Sequence, residues 1–444
     1  MVAEDLANIN ILGFAFGLIL GGLTLLLPRR FAYIPFLVSA SSITIGQRID
    51  LLGINFHMMR ILILFGWLRL YLRGEIQSLE WNRIDKAVLW WALVGVLTYT
   101  IRLGTFDGLI SALGPAYNAL GAYFFFRLLI RDWQDVRRIV LTISIIFIPL
   151  AILMAIENHT GRNLFSIFGG VPEITMIREG RLRCQGPFRH PILTGTFAAT
   201  SIPLIIGLLM SPLNKKKTLI WIGLVGAFVV TMLSASSGPL MTLSAAILGL
   251  ILWKFRQRTR LMFWGIILGI AFLHFVIMKS PVWFLIGRLG NVIGGTGWHR
   301  SVLIDEAVKH FHEWWLLGTS YTAHWAKDWP LMILPWEPNM IDITNQFIFI
   351  GVNGGMVPLL LFILILYRCF NGIGQLFRLS TEIPIWRKFL YWCMGVALLS
   401  HVVSFLSVAY FDQIIVFWWS LVAMISQTLN LNSIEQNGLP RPSK

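Results

Sequence analysis

The sequence predicts an all-α fold, a polytopic bundle of transmembrane helices. The 444 residues are 56% hydrophobic and only 13% charged, whereas about a quarter of a soluble domain is charged. Their mean hydropathy is +0.72, and apolar runs long enough for a membrane helix recur along the chain. These runs lack the alternation of apolar and polar residues that a β-barrel needs. Helices are therefore expected to form the backbone hydrogen bonds within the bilayer. A water-soluble globule is excluded.

The apolar runs, compared with the length of a membrane helix, predict about 12–13 spans in a single polytopic domain over 1–444. The run at 31–45 is the shortest of them, and a turn of small residues from Ser234 to Gly238 separates two others. The predicted spans are 9–27, 31–45, 55–72, 86–101, 109–130, 139–156, 191–211, 218–233, 238–253, 261–278, 345–367, 387–409 and 414–430.

The distribution of basic residues predicts which connections face the cytoplasm. Most of the 36 lysines and arginines fall in one set of alternate connections and in the tail at 431–444, which the positive-inside rule places in the cytoplasm. The two longest connections, 157–190 and 279–344, then lie in the periplasm of a bacterial inner membrane. We expect short surface helices in both of these loops and an active site on their side of the membrane.

The first long loop ends in a basic cluster just before a predicted span. The cluster contains Arg178, Arg181, Arg183, Arg189 and His190. Guanidinium groups bind phosphate oxygens in pairs and keep their charge when partly desolvated. The cluster therefore predicts a site for a diphosphate at the membrane surface. The alternative is that these arginines contact ordinary lipid headgroups.

The second long loop contains a predicted amphipathic helix. Leu303, Ala307 and Phe311 recur at four-residue spacing, which is typical of one helix face. Arg300 then falls in the first turn of the helix. Because the first turn has free amide groups and a partial positive charge, an arginine there strengthens an anion site.

Most of the nine histidines lie in the two long loops, where imidazole is a candidate proton acceptor. His310 and His312 are two residues apart, which would put them on different faces of a helix, so we expect no structural zinc site. Asp305 and Glu306 are interpreted as ion-pair residues rather than metal ligands. No nucleotide-binding motif is present, and basic charge spread over membrane loops does not indicate nucleic acid. We predict neither a metal nor a cofactor.

Four segments together resemble the O-antigen ligase and O-antigen polymerase superfamily of bacterial membrane glycosyltransferases. They match it in order, in spacing and in their shared side of the membrane, over about 180–365. The segments are Arg183-Cys-Gln-Gly-Pro-Phe-Arg-His-Pro191, the small-residue turn from Ser234 to Gly238, the stretch from Arg300 to Gly318, and Thr344-Asn345-Gln-Phe347.

The resemblance implies transfer of a saccharide from an undecaprenyl-diphosphate carrier to a hydroxyl of a glycan or lipid acceptor. Such transfer serves the assembly of O-antigen or exopolysaccharide and uses no metal and no nucleotide sugar. Arg183 and Arg300 would bind the diphosphate, where they can stabilise the charge that develops on the leaving group. Arg181 and Arg189 are the neighbouring candidates for the same role. Membrane lipids and other polysaccharide-assembly proteins are the further expected partners.

One position departs from the family. The family usually has a histidine where this chain has Thr344, next to Asn345, and threonine does not accept a proton at neutral pH. We therefore predict that His324 is the catalytic base, because it lies in an aromatic segment upstream of Thr344. His190, beside the arginine cluster, is the second candidate. The missing histidine also favours a polymerase slightly over a ligase.

Two other functions use the same arginines. A transporter or flippase for a lipid-linked anionic glycan would bind it without chemistry, and an inactive scaffold would hold it within an assembly complex. Transporters often have ionisable residues inside their spans and repeated halves. The central apolar runs contain almost no ionisable residue, and we find no repeat between the halves, so the sequence favours the transferase.

Overall fold

The computed structural model describes residues 10–44, 48–51, 54–76, 79–212, 216–292, 297–327, 329, 331–378 and 383–437. The model is 75% helical, with 17 α-helices, and the described strands form three two-stranded hairpins. The predicted all-α polytopic bundle is therefore confirmed. Residues 1–9 and residues 438–444 of the predicted cytoplasmic tail lie outside the described residues, so the side of the membrane on which the tail lies stays a prediction.

Eight of the described helices are long and apolar enough to cross a membrane, which makes this a membrane-embedded chain. Three shorter apolar helices accompany them, at Ile11–Leu26, Lys217–Leu233 and Trp264–Ile277. The eight long helices are Arg83–Leu103, Phe106–Leu129, Trp133–Thr160, Pro191–Leu209, Ser237–Arg258, Met356–Phe377, Ile385–Phe405 and Ile414–Leu431.

The predicted span at 31–45 is too long. The structure has an eight-residue helix there, α2 (Tyr33–Ala40), which covers only about 12 Å at 1.5 Å per residue and cannot cross the hydrocarbon core alone. Tyr33, Phe36 and Leu37 are fully buried among the other helices. The apolar residues of this run serve a protein core rather than a lipid-facing surface, and hydropathy does not distinguish the two.

The predicted span at 345–367 is divided in the structure. Two helices, α14 (Gln346–Gly354) and α15 (Met356–Arg378), meet at Gly355, which has a left-handed φ of +85°. A side chain at Gly355 would collide with the carbonyl oxygen of Leu316, so only glycine fits. The second long loop is thus packed directly over the break, where the carbonyl oxygen of Trp315 accepts a hydrogen bond from the Met356 amide.

The helix α7 (Pro191–Leu209) forms the centre of the bundle, because 94% of its membrane-length apolar stretch is buried inside the protein. It packs against α6 (Trp133–Thr160), α8 (Lys217–Leu233), α9 (Ser237–Ile251) and α16 (Ile385–Phe405). Glycines allow α6 and α8 to approach closely, since a Cβ at Gly226 would lie 2.6 Å from the Phe147 carbonyl oxygen. The first residue of this central helix directly follows the arginine cluster.

The two long loops differ in structure. The expected short helices occur in the second loop, as α11 (Phe284–Val292), α12 (Gly297–Lys309) and α13 (Phe311–Trp314). The first loop instead contains a five-residue 3-10 helix, Leu164–Phe168, and the hairpin of β3 (Met176–Arg178) and β4 (Arg181–Arg183). The two residues between these strands both have positive φ, as tight hairpin turns require.

Candidate anion-binding site

Arg183 is held by the hairpin in the first long loop. It is the last residue of β4 and only 8% of it is exposed. Its Nη2 donates to the Ser236 hydroxyl over 2.7 Å, whereas its buried Nε has no hydrogen-bond partner among the described residues. Burial lowers the pKa of the Arg183 guanidinium, and neighbouring Arg178 lowers it further.

Arg300 is held by α12 in the second long loop. It is the fourth described residue of this helix, as the sequence predicts, and 5% of it is exposed. Its Nη1 lies 3.9 Å from the Met241 sulfur, which is a weak acceptor. Burial lowers the pKa of Arg300 to about 10, and the positive charge of Arg178 contributes to the shift.

Both arginines reach the same end of α9. Ser236, the partner of Arg183, is the N-cap residue of α9, and Met241, the partner of Arg300, lies in the first turns of that helix. Arg178 interacts electrostatically with both arginines. The two long loops, more than a hundred residues apart in sequence, therefore meet at one helix N-terminus.

No carboxylate lies within salt-bridge distance of Arg183 or Arg300 among the described residues. A buried charge without a counter-ion is costly, by several kcal/mol after relaxation. The N-terminus of α9 adds a partial positive charge and free amide groups, and Ser236 makes no side-chain cap there. A site with two guanidiniums that lack a counter-ion among the described residues, beside a helix N-terminus without a side-chain cap, is suited to an anion with several oxygens.

Arg181 and Arg189 differ from this pair, because both are exposed. The backbone amide of Arg189 donates to Asp412 over 2.7 Å, so this residue fixes the chain before α7. The structure thus separates the four arginine candidates into two buried members and two at the rim. Their roles in diphosphate binding stay predictions.

His190 lies beside the arginines as the N-cap of α7. The amide of Ile192 donates to its Nδ1 over 3.2 Å, so the neutral ring must carry its proton on Nε2. Burial, together with Arg183 and Arg178, lowers the pKa of His190 to about 4. Because Nδ1 accepts the Ile192 amide and Nε2 carries the proton, neither ring nitrogen of His190 is available to take a proton, which does not suit the predicted role of a base.

His324 lies at the other end of α12. Its Nε2 is 2.9 Å from Glu313 Oε1, beyond the last residue of that helix. His310, the next residue after α12, is about 15 Å from Arg300 along the helix axis at 1.5 Å per residue. The structure therefore does not bring His324 to the arginines, because α12 holds the two regions apart.

Thr344 and Asn345 precede α14. The Asn345 side chain accepts from the amides of Phe347 and Ile348 and caps this helix. The Thr344 hydroxyl is buried and has no hydrogen-bond partner among the described residues. Asn345 thus has a structural role at the start of α14.

A histidine and a carboxylate near Arg300 were not singled out from the sequence. His299 precedes Arg300 on α12, and Asp342 follows β6 (Glu337–Ile341), two residues before Thr344. Burial lowers the pKa of His299, while Asp342 opposes that shift. Burial raises the pKa of Asp342, and His299 opposes that shift in turn. Adjacency to Arg300 and to Thr344 was the only available sequence signal.

The arrangement is suited to a polyanion between the two long loops, and His299 and Asp342 interact electrostatically beside Arg300. Of the described residues, those that come close enough together to ligate a metal ion are His310, Glu313 and His324, which lie at the far end of α12. No protein-family model, curated protein or solved structure matches this chain.

Proposed function

We propose that the chain is a membrane glycosyltransferase, which moves a saccharide from an undecaprenyl-diphosphate carrier to an acceptor hydroxyl in surface polysaccharide assembly. One observation supports this above all. Arg183 and Arg300 are buried at one end of an apolar helical bundle, and within the described chain they have no carboxylate partner. A diphosphate whose lipid tail remains in the bilayer supplies the missing negative charge in the required place.

The arginines would act on the leaving group. The acceptor oxygen attacks the anomeric carbon, the bond from that carbon to the phosphate oxygen breaks, and the electron pair leaves with the diphosphate. Guanidiniums already fixed at this position stabilise the developing charge without reorganisation. The N-terminus of α9 favours the same charge.

The base that takes the acceptor proton is His299 in this proposal. It adjoins Arg300 in the chain and interacts with Asp342, which lies two residues before Thr344, the position where the resemblance expects a histidine. The lowered pKa of His299 keeps it neutral near pH 7, so it is able to accept a proton. His324 and His190 are less suitable, because α12 separates the first from Arg300 and the second uses its Nδ1 as a cap.

The site would face the periplasm of a bacterial inner membrane, since basic residues concentrate in the opposite set of connections. The acceptor is a growing glycan or a lipid, and the absence of a histidine at Thr344 slightly favours polymerisation over ligation. Membrane lipids surround the bundle, and other polysaccharide-assembly proteins are its expected partners.

Purified protein in lipid nanodiscs, with an undecaprenyl-diphosphate oligosaccharide and a glycan acceptor, tests the proposal. We expect extended glycan together with released undecaprenyl diphosphate. Both products should be lost in Arg183→Lys and Arg300→Lys, because lysine keeps the positive charge but cannot bind two phosphate oxygens side by side as a guanidinium does. Arg162→Lys is the matched control, because Arg162 is 73% exposed in the same loop. In liposomes, movement of the intact lipid-linked glycan across the membrane without transfer would contradict the proposal and support a flippase.

A further inference from the structure

A second polar cluster lies at the C-terminal end of α12, around Glu313. His310 Nδ1 is 2.7 Å from Glu313 Oε1, and His324 Nε2 is 2.9 Å from the same oxygen. His312 Nε2 is 3.9 Å away from it. Three imidazoles thus surround one carboxylate oxygen, and the proposed transfer reaction uses none of them.

The helix is interrupted within this cluster. The helix α12 ends at Lys309, His310 departs from helical geometry with ψ +21°, and α13 begins at Phe311. The expectation of no zinc site considered only His310 with His312, and in the structure the His312 side chain is 77% exposed and lies outside the group His310, Glu313 and His324. His324 arrives separately, on the 3-10 helix Ala323–Ala326.

We infer that His310, Glu313 and His324 form a binding site for a divalent transition-metal ion of the zinc class. Two imidazoles and one carboxylate are a donor set that such ions prefer. One candidate ligand atom from each residue lies within 4.8 Å of the other two. Tetrahedral zinc separates its ligand atoms by roughly 3.3 Å, so small side-chain rotations would open the present contacts enough to admit the ion.

The side chains around the cluster hold the three ligands in orientation. Trp325 Nε1 donates to Glu313 Oε2 over 3.1 Å, which leaves Oε1 for the ion. His310 Nε2 lies 3.6 Å from Glu306 Oε2, the carboxylate–histidine arrangement that commonly supports a ligating imidazole. The His310 ring stacks on Trp325, with centroids 5.4 Å apart. About a quarter to a third of each ligand side chain is exposed, so an ion can enter from solvent.

The ion would fasten the second long loop to the bundle. The chain between Glu313 and His324 contacts the divided span, because the Met356 amide donates to Trp315 and the Thr319 amide donates to Val352, each over 2.8 Å. A metal that links the two sides of this segment would fix it over Gly355. The role is structural and distinct from the diphosphate site, since α12 keeps the two apart.

Metal binding by the full-length protein tests the inference, with the protein purified through a tag that contains no histidine. Elemental analysis after equilibration at micromolar free zinc is expected to give one bound equivalent per chain. Cobalt in place of zinc is expected to give the visible absorption of a tetrahedral site. Glu313→Gln and His324→Ala should each weaken binding at least tenfold. His159→Ala, an exposed loop histidine at the end of α6, is the matched control and should bind as the unaltered protein does.

Either of two results would overturn the inference. One is an unaltered protein that takes up less than a stoichiometric amount of zinc and shows no cobalt absorption. The other is unchanged zinc affinity in folded Glu313→Gln and His324→Ala. If both variants fail to fold, the cobalt spectrum of the unaltered protein decides. Because these measurements follow metal content and not glycan transfer, they do not depend on the proposed function.

Discussion

The arginines at the two ends of the bundle differ in whether a carboxylate of the same chain pairs with them. At the end predicted to be cytoplasmic, arginines pair with carboxylates of the same chain. These pairs are Arg29 with Asp135 at 2.6 Å, Arg69 with Glu75 at 2.7 Å, and Arg127 with Asp85 at 3.1 Å. At the other end, Arg183 and Arg300 are buried as Arg69 and Arg127 are, but among the described residues no carboxylate pairs with either.

The comparison shows that the same side chain has two roles, and that the position of carboxylates decides between them. A buried pair satisfies its charges within the fold, so loss of one partner destabilises the protein. A buried arginine without a partner raises the energy of the empty protein and lowers it when an anion binds. Stability should therefore depend on the first end, and ligand binding on the second.

The largest expected effect is at the paired end. Asp85→Ala leaves Arg127 buried without its counter-ion and removes hydrogen bonds from Tyr123 and Ser426. We expect the free energy of unfolding to fall by about 3–5 kcal/mol, measured by thermal or denaturant unfolding in detergent. Glu173→Ala is the control, because it breaks an ion pair whose side chains are 73% and 61% exposed, and it should change stability by less than about 0.5 kcal/mol. Equal losses of stability in Asp85→Ala and Glu173→Ala would contradict the view that stability depends on the buried pairs.

The second effect concerns the base at the unpaired end. His299→Ala should lower the rate of glycan transfer by about 10²–10⁴ and leave unfolding nearly unchanged. His159→Ala, an exposed histidine at the end of α6, should keep full activity. Since burial lowers the pKa of His299 below 6.5, activity should persist below that pH and decline only in more acidic solution. Full activity of His299→Ala would reject it as the base.

The third effect tests the unpaired arginines themselves. Arg300→Gln should reduce transfer by about 10²–10³, the loss typical of one electrostatic contact to a developing charge. Its free energy of unfolding should stay the same or rise, because an uncompensated buried charge is gone. A loss of stability as large as that of Asp85→Ala would mean that Arg300 has a partner within the fold.

The fourth effect is a dependence of stability on pH at the same end. The pKa of His190 is lowered from 6.5 to about 4, mainly by burial and then by Arg183 and Arg178. As the pH falls through this range, the unfolded chain gains a proton that the folded chain does not, so stability falls and then levels off. After solvent screening the change should be about 1–2 kcal/mol. His190→Asn retains a helix cap and should remove this dependence when unfolding is measured across the same range.

The smallest effect is expected for the exposed arginines. Arg181→Gln and Arg189→Gln should change the free energy of unfolding by less than about 0.5 kcal/mol. Their effect on transfer should be well below that of Arg300→Gln, because an exposed guanidinium is screened by water. A loss of transfer comparable to that of Arg300→Gln would extend the binding site to the rim.

Several features were predictable from the sequence because they depend on local properties. Low charge and long apolar runs were enough for the all-α membrane class, which the structure confirms. The position of Arg300 in the first turn of a helix followed from the spacing of Leu303 and Ala307, both of which are buried. The concentration of arginines before α7 was visible directly.

Other features escaped the sequence because they depend on contacts between distant segments. Hydropathy overestimated the helix at 31–45 and missed the break at Gly355, because it does not tell whether an apolar residue faces lipid or protein. The choice of His324 rested on its distance from Thr344 along the chain. In the folded protein, α12 places His299 beside Arg300 and keeps His324 at its opposite end.

The sequence by itself determined the membrane class, the approximate helices and the supply of arginines and histidines, since composition and periodicity are properties of single segments. Only the tertiary structure decided which arginines are paired, which histidine interacts with Asp342, and which imidazoles lie around Glu313. The physical reason is that electrostatic and metal-binding properties depend on distances of a few ångström. Such distances are set by packing between segments that are far apart in the sequence, as Arg183 and Arg300 are.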